Sequence, residues 1–273
     1  MPDGVGSRLV RQGAAAVWLV AAAASGCGYH LAGTGTFLPK NIKVIAAPGG
    51  GRGNAVGRHP WPSAEQVGRV LGAAGIAPSD TVVAYDDQSG GIAARLWYIL
   101  RAHGHEAVAV LDGGIAQWVA EGRPLETAVP QVIPQSYPVH LRPGFVLDKS
   151  AVASLPPGSL VLDARVGERY RGETEPIDPR AGHVPGARSA PFSGNLGPGP
   201  LPVFLPPKEL RERYAALGAG TAEPIVYCGS GVTACHDLLA LELAGFRGRL
   251  YGGSWSEWSS DPELPLETGP GSA

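Results

Sequence analysis

The residues with the clearest chemical potential are Cys228-Gly229-Ser230-Gly231-Val232-Thr233-Ala234. They follow the apolar run Pro224-Ile225-Val226-Tyr227 and lead into a helical run from Val232 to Gly245. A loop between a strand and a helix N-terminus presents backbone N–H groups without helical partners, and these can converge on the cysteine sulfur. Their dipoles favour an anion, so the arrangement predicts a nucleophilic thiolate. Gly229 and Gly231 let the backbone curl around that sulfur at low steric cost. A single Cys after an apolar strand is ordinarily a small buried hydrophobe; the ring of Gly229, Ser230 and Gly231 sets Cys228 apart.

Other chemically capable residues read as structural. Cys235 and His236 open the following helix, and Cys235 is expected in the core rather than as a resolving thiol. His183 stands in a Gly-His-Val-Pro-Gly turn and is expected to orient that loop. Asp163 and Arg165 form a structural ion pair near the site, while Trp118, Trp255 and Trp258 are packing residues. Asp112-Gly113-Gly114 is a turn after a strand, not a phosphate loop. Cysteine phosphatases also cradle an anion on such a loop, but they close it with Arg at the sixth residue after the cysteine. Here that residue is Ala234, which removes the bidentate phosphate partner and the phosphatase reading with it.

The elements that must position this loop occur twice. The first copy runs through Thr81–Asp86, a Gly-containing loop, Ile92–Leu100, Ala107–Gly114 and Trp118. The second runs through Pro224–Cys228, its Gly-containing loop, Val232–Gly245, Leu250–Gly253, Trp255 and Trp258. Each copy is strand, glycine turn, helix, strand, Gly-Gly turn and a short Trp-bearing helix. Alternating strands and helices imply crossover connections and a parallel sheet with helices on both faces. A helix is expected over Ser63–Gly75, and the Pro-rich stretch Pro124–Pro143 reads as the connection between copies. The second copy has a long lead containing Leu160–Asp163 and Gly182–Ala187. The first has no such lead and reads as truncated.

Composition narrows the class. The chain has 273 residues, 22 Lys plus Arg against 24 Asp plus Glu, and a formal charge of −2, so no general field favours nucleic acid. Hydrophobic residues at 44% supply a core, whereas 40 Gly and 26 Pro without a three-residue period indicate many turns. Three cysteines and no CxxC pair give neither a disulfide framework nor a zinc site. No metal or cofactor is expected.

The N-terminus reads differently. Arg8 and Arg11 precede an apolar run, Ala14–Ala24, of signal-peptide length, and the run ends in Ala24-Ser25-Gly26-Cys27. Cys27 is the candidate lipidation residue of a lipoprotein-type signal over 1–27. Residues 27–48 resemble the mature N-terminus of the lipopolysaccharide-assembly lipoprotein, on Cys27-Gly28-Tyr29, Leu31, Gly33, Leu38-Pro39 and Ile42–Ile45. That resemblance stops in Gly49–Gly53. Export implies a periplasmic chain, anchored at the outer membrane through Cys27; an unused signal implies a cytoplasmic one. Ile42–Ala46 is expected to fill the truncated first sheet as a substitute strand.

From about residue 52 to 268 the chain resembles the tandem-rhodanese sulfurtransferases, the 3-mercaptopyruvate/thiosulfate family. Asp163-Ala-Arg165, Arg169-Tyr-Arg171-Gly172, Gly182-His183-Val-Pro-Gly186-Ala187, Cys228–Thr233 and Gly253–Trp258 carry the resemblance, in family order. It implies two rhodanese-like α/β domains: an inactive, truncated one over 52–126, a linker over 127–144 and a catalytic one over 145–268, before a tail of 269–273. It also implies a persulfide on Cys228, formed from a small sulfur donor and passed to cyanide or to a thiol such as that of a thioredoxin-like protein. Asp86 holds the cysteine position of the first copy and cannot accept sulfur. The uncharged Gly229 and Ser230 resemble the 3-mercaptopyruvate type. Arg169 and Arg180 match that type's donor-holding positions, Gly229, Gly231, Val232 and Thr233 form the cradle, and Ser230 binds the donor or relays a proton. The family's Asp-His-Ser relay draws its Asp and His from the first domain, and those positions are expected in the missing stretch. The rival reading is a non-enzymatic envelope lipoprotein, or a sulfur-carrier or binding module with an impaired rhodanese body.

Overall fold

The computed structural model describes residues 9–10, 42–43, 57–125 and 131–271. They divide between two compact units, one built on residues 62–142 and 199–203 and the other on 57–61, 143–198 and 204–271, with the two N-terminal strands in the first.

The first unit contains β1 (Leu9–Val10), β2 (Ile42–Lys43), α1 (Ala64–Ala73), β3 (Thr81–Ala84), α2 (Ala93–Ala102), β4 (Val108–Leu111) and α3 (Gly114–Ala120). Its sheet is parallel, in the order β1-β4-β3-β2. The expected substitute strand is present at Ile42 and Lys43, which pair with Thr81 and Val82; residues 44–46 lie outside the described residues. Helix α1 starts where Ser63 and Gln66 cap it reciprocally: Ser63 Oγ accepts from Gln66 N at 3.2 Å, and Gln66 Oε1 from Ser63 N at 2.8 Å. Strands β3 and β4 are apolar and almost wholly buried, as a sheet covered on both faces requires. The stretch 131–142, read as linker, lies along this unit instead: Gln135 N donates to Gly72 O at 2.9 Å, and His105 Nδ1 lies 2.6 Å from the Tyr137 hydroxyl.

The second unit contains β5 (Val146–Leu147), α4 (Lys149–Ala153), β6 (Val161–Asp163), α5 (Gly167–Tyr170), β7 (Arg188–Ser189), α6 (Pro207–Ala216), β8 (Ile225–Tyr227), α7 (Ala234–Leu243), β9 (Arg249–Tyr251) and α8 (Ser254–Trp258). Its five strands are parallel in the order β5-β9-β8-β6-β7. Central β8 is flanked by β6 and β9, so the loop that leaves it opens at the carboxyl edge of the sheet, where open α/β folds bind ligands. Tyr170, Tyr227, Tyr251, Trp255 and Trp258 pack together in the core beside it. Helix α7 is buried from Ala234 through Leu241, matching its apolar residues on more than one face.

Residues 57–61 correct the domain reading. Sequence assigned them to the first domain, but they belong to the second unit, where Arg58 N donates to Ser256 Oγ at 3.0 Å. Cys27 and most of the signal-like segment lie outside the described residues. Among the described residues no helix is long and apolar enough to cross a membrane.

Candidate active site

Cys228 sits at the end of β8 and is buried, with Gly231 N donating to its Sγ at 3.1 Å. Gly231 adopts φ +76°, which turns the chain back over the sulfur and is open to glycine at no steric cost. Helix α8 holds the loop from behind. Trp255 N donates to Cys228 O and Ser256 N to Gly229 O, both at 2.9 Å. In a trans peptide the C=O and N–H point in opposite directions, so carbonyls tied to α8 turn the Gly229 and Ser230 N–H groups away from it. Cys228 N is also satisfied, by Ser254 Oγ at 3.2 Å. The loop is therefore anchored by the Gly253–Trp258 motif, whose tryptophans are buried as expected, and Gly231 N is the one backbone donor seen on the sulfur among the described residues.

Cys228, Gly229, Ser230, Val232 and Thr233 share a pocket of about 220 Å³ with Arg169 and Arg58. Arg169 projects from short α5. Its Nη2 binds Glu175 Oε1 at 2.6 Å and Asp178 Oδ2 at 2.9 Å, and its Nε reaches Glu175 Oε2 at 3.3 Å. Burial acts to raise the Glu175 carboxyl, but the Arg169 hydrogen bond and the N–H groups of Asp178 and Ile177 hold it below the usual range. Glu175 therefore stays ionised opposite Arg169. Arg165 lies deeper, with Nε and Nη2 on buried Asp163, Nη1 on Glu175 at 3.2 Å and Nη2 on Gly182 O at 2.6 Å. The structural reading of the Asp163–Arg165 pair holds, in a fully buried setting.

Arg180 does not reach this pocket, a correction to the sequence reading. Its guanidinium donates to Ser259 O at 2.8 Å, Leu264 O at 2.9 Å, Trp258 O at 3.0 Å and Asp261 O, stapling the segment after α8. The deviation is electrostatically sensible: four carbonyls around the end of that helix present the negative pole of their dipoles to one fixed cation.

A second correction concerns the relay. The His expected in the missing stretch is present: His59 Nδ1 lies 2.7 Å from Ser230 Oγ. Sequence reasoning missed it because residues 57–61 precede the repeat and pack on the far copy's site. The Arg58-His59-Pro60-Trp61 cluster, polar and aromatic in a glycine-rich stretch, was the available signal. Upstream of His59 no acidic residue occurs back to Asp3, so the relay's carboxylate has no counterpart in that segment.

The remaining candidates settle as structural. The Cys235 thiol is buried and donates to Gly231 O at 3.3 Å. His183 is buried, stacked on Tyr170 with ring centroids 3.9 Å apart, and its Nδ1 lies 2.7 Å from Tyr170 O. In the first unit Asp86 fills its own loop: Oδ1 accepts from Gln88 N and Gly90 N, and Oδ2 from Ile92 N and Ala93 N, at 2.7–2.9 Å. Among the described residues no group of His, Cys, Asp and Glu could hold a metal ion.

Comparison with known proteins agrees with this geometry. The rhodanese-like domain family matches residues 53–121 and 149–261. A Pseudomonas aeruginosa protein named "Probable 3-mercaptopyruvate sulfurtransferase" is 45% identical over 224 residues, covering 80% of this chain and 78% of that protein. Human 3-mercaptopyruvate sulfurtransferase is 34% identical over 223 residues, covering 78% of this chain and 74% of the human one. Among solved structures, the 3-mercaptopyruvate sulfurtransferase from Leishmania major superposes with a TM-score of 0.67 at 28% identity. It covers 80% of this chain, and this chain spans 62% of its length. With two matched segments, a buried cysteine that accepts a loop N–H in one and an aspartate in its place in the other, the chain belongs to the tandem-rhodanese sulfurtransferase family.

Proposed function

We propose that this chain moves a sulfane sulfur from a small donor, 3-mercaptopyruvate or thiosulfate, through a persulfide on Cys228 to a thiol or cyanide acceptor. The observation that carries this reading is a buried thiol, donated to by Gly231 N, sharing a small pocket with Arg169 and with Ser230, whose hydroxyl lies 2.7 Å from His59 Nδ1. With 3-mercaptopyruvate, the Cys228 thiolate attacks the donor sulfur and a sulfur–sulfur bond forms. The donor C–S bond breaks, and its electron pair passes to the enolate of pyruvate. Ser230 Oγ–H gives that enolate a proton and is refilled from His59 Nδ1–H, a route open to a 2.7 Å contact. The loop N–H groups stabilise the persulfide anion. An acceptor thiolate then attacks the outer sulfur, the S–S bond breaks and the Cys228 thiolate is restored.

Arg169 is the donor's carboxylate partner, because a guanidinium fork matches that group. Gly229, Gly231, Val232 and Thr233 shape the floor. The acceptor is a small thiol, a thiol protein of the thioredoxin-like kind, or cyanide. Membrane attachment would run through Cys27, with the chain exported to the periplasm; lipid labelling of a Cys27→Ser variant tests that part separately.

The decisive experiment is turnover of the purified full chain with 3-mercaptopyruvate and with thiosulfate, beside a Cys228→Ser control. Sulfur transfer that disappears in the control is expected. A folded protein that turns over neither donor would replace this reading with that of a sulfur carrier or binding module.

A further inference from the structure

Helix α8 supports the Cys228 loop through successive residues, and one of them also carries the segment that brings His59. We propose that Ser256 is a positioning residue that fixes His59 against Ser230, by tethering residues 57–59 and the Cys228 loop to one point of α8. The catalytic consequence rests on the sulfurtransferase reading with its Ser230–His59 relay, but the tether can be measured without turnover.

Three observations carry the assignment. First, buried Ser256 makes two different connections. Its N–H donates to Gly229 O at 2.9 Å, which orients the Gly229–Ser230 peptide, while its Oγ accepts from Arg58 N at 3.0 Å, one residue before His59. The two partners of the 2.7 Å contact between His59 Nδ1 and Ser230 Oγ are thus each one residue from a bond to Ser256. Second, the hydroxyl is aimed. It donates to Gly253 O at 3.1 Å, which turns its lone pairs to the Arg58 N–H. Third, the segment passes so close to α8 that the approach requires glycine. Gly57 adopts φ +82°, and a Cβ there would lie 2.6 Å from Gly253 O and 3.1 Å from Ser256 Oγ.

The hydroxyl is separable from the rest of the site. The Cys228 loop is held by the backbone N–H groups of Trp255 and Ser256, which survive loss of the hydroxyl. The Arg58 guanidinium is tied elsewhere, its Nη1 donating to buried Asp178, and Arg169 is held by Glu175 and Asp178. Beyond His59 the segment keeps a second hold on the turn before α8, where a Cβ on Gly252 would be in ordinary contact with Trp61 Cβ, 3.8 Å away. Removing the Ser256 hydroxyl therefore loosens His59 without releasing it, and the expected loss is smaller than that from removing His59 itself.

Two readouts on the intact chain test this. In steady state with 3-mercaptopyruvate, Ser256→Ala should lower kcat on the order of tenfold while KM stays within about twofold. The loss should be smaller for thiosulfate, which needs no enolate protonation. Ser256→Thr, which keeps the hydroxyl, should retain more activity than Ser256→Val, which keeps only its shape. Adding Ser256→Ala to His59→Gln should cost less than about twofold more, because a residue acting through His59 then has nothing left to position. Independently of sulfur transfer, hydrogen exchange read by peptide mass should speed up about tenfold or more at the Arg58 amide in Ser256→Ala, with the 228–233 loop unchanged. The assignment is wrong if Ser256→Ala folds yet keeps wild-type exchange, if it keeps wild-type kcat while His59→Gln is impaired, or if its loss adds in full to that of His59→Gln. If the wild-type chain turns over no donor, or His59→Gln turns over normally, while exchange still depends on Ser256, the tether stands and the functional reading fails.

Discussion

The loops after β3 and β8 are two answers to one problem. In both, a strand ends, the chain curls through glycines and a helix begins, leaving backbone N–H groups in search of an acceptor. The first repeat answers with Asp86, whose two oxygens take four N–H groups at 2.7–2.9 Å and saturate the cradle. The second answers with Cys228, whose larger and weaker acceptor takes one N–H, from Gly231 at 3.1 Å, inside a pocket that opens to two arginines. Even the support behind them corresponds: Ile115 N donates to Asp86 O as Trp255 N does to Cys228 O, both at 2.9 Å. The nest is a property of the strand–loop–helix unit. Whether it catalyses depends on whether the side chain it holds can take up a sulfur and release it again.

The comparison breaks first at the nucleophile. Cys228→Asp transplants the first repeat's answer into the second. It should abolish sulfur transfer, by at least about a thousandfold, because no carboxylate can carry a persulfide. Thermal unfolding should remain cooperative, since the loop offers the new anion the donors it needs. Loss of folding in Cys228→Asp, with Cys228→Ser intact, would mean that the two nests are not equivalent.

The relay gives the next largest effect. His59→Gln leaves Cys228 and its cradle in place but removes the proton source behind Ser230. Turnover of 3-mercaptopyruvate should fall on the order of a hundredfold, and Ser230→Ala should cost a similar factor. The double variant should be little worse than either single one, because the two groups act in series. Thiosulfate releases sulfite without an enolate to protonate, so its turnover should fall less; an equal loss for both donors would remove the relay role.

In the first repeat the same experiment reads out as stability alone. Asp86→Ala strands N–H groups that a carboxylate had gathered, and about 2–4 kcal/mol of that unit's stability should be lost. Denaturant unfolding checks this. Sulfur transfer per folded molecule should stay at the wild-type level, since Asp86 belongs to the other unit.

Much of the site was legible because it is local. Cys228 through Thr233, the buried Asp163–Arg165 pair and the supporting tryptophans all follow from a run of residues whose spacing fixes their geometry. Arg180 misled because sequence shows a cation but not its acceptors; four carbonyls near the end of α8 claim it, and nothing in Asp-Pro-Arg-Ala reveals them. Arg58, His59 and Asp178 were illegible for the opposite reason. Their roles are created by contacts across 120 or more residues, Arg58 to Asp178 and His59 to Ser230, and such contacts carry no periodic signal. The substitute strand at Ile42–Lys43 was legible as an apolar run, whereas the strand at Leu9–Val10 was hidden inside a segment that reads as a signal.

The smallest effect sharpens the contrast between an anion the fold welcomes and one it resists. Asp237 lies in the first turn of α7, just beyond the catalytic loop, and is fully buried. Burial pushes its carboxyl up to about 7, against the lowering effects of the Asn195 hydrogen bond, the Arg213 charge and Tyr214. Asn195 Nδ2 donates to Asp237 Oδ1 at 2.6 Å, while Asn195 Oδ1 accepts from Tyr214 OH at 2.9 Å and Arg213 Nε at 3.2 Å. Between the ordinary value of 3.8 and about 7, the folded chain keeps a proton that the unfolded chain has lost. Stability should therefore fall as pH rises through that window and level off above it. Relative to wild type, Asp237→Asn should cancel this contribution and raise the unfolding midpoint at pH 8 by a few degrees, with little change near pH 4. Asp237 gains more from its proton than from its charge. An unchanged pH profile in Asp237→Asn, measured on the second unit's transition, would show that the surrounding Arg213 and Asn195 accommodate the charge after all.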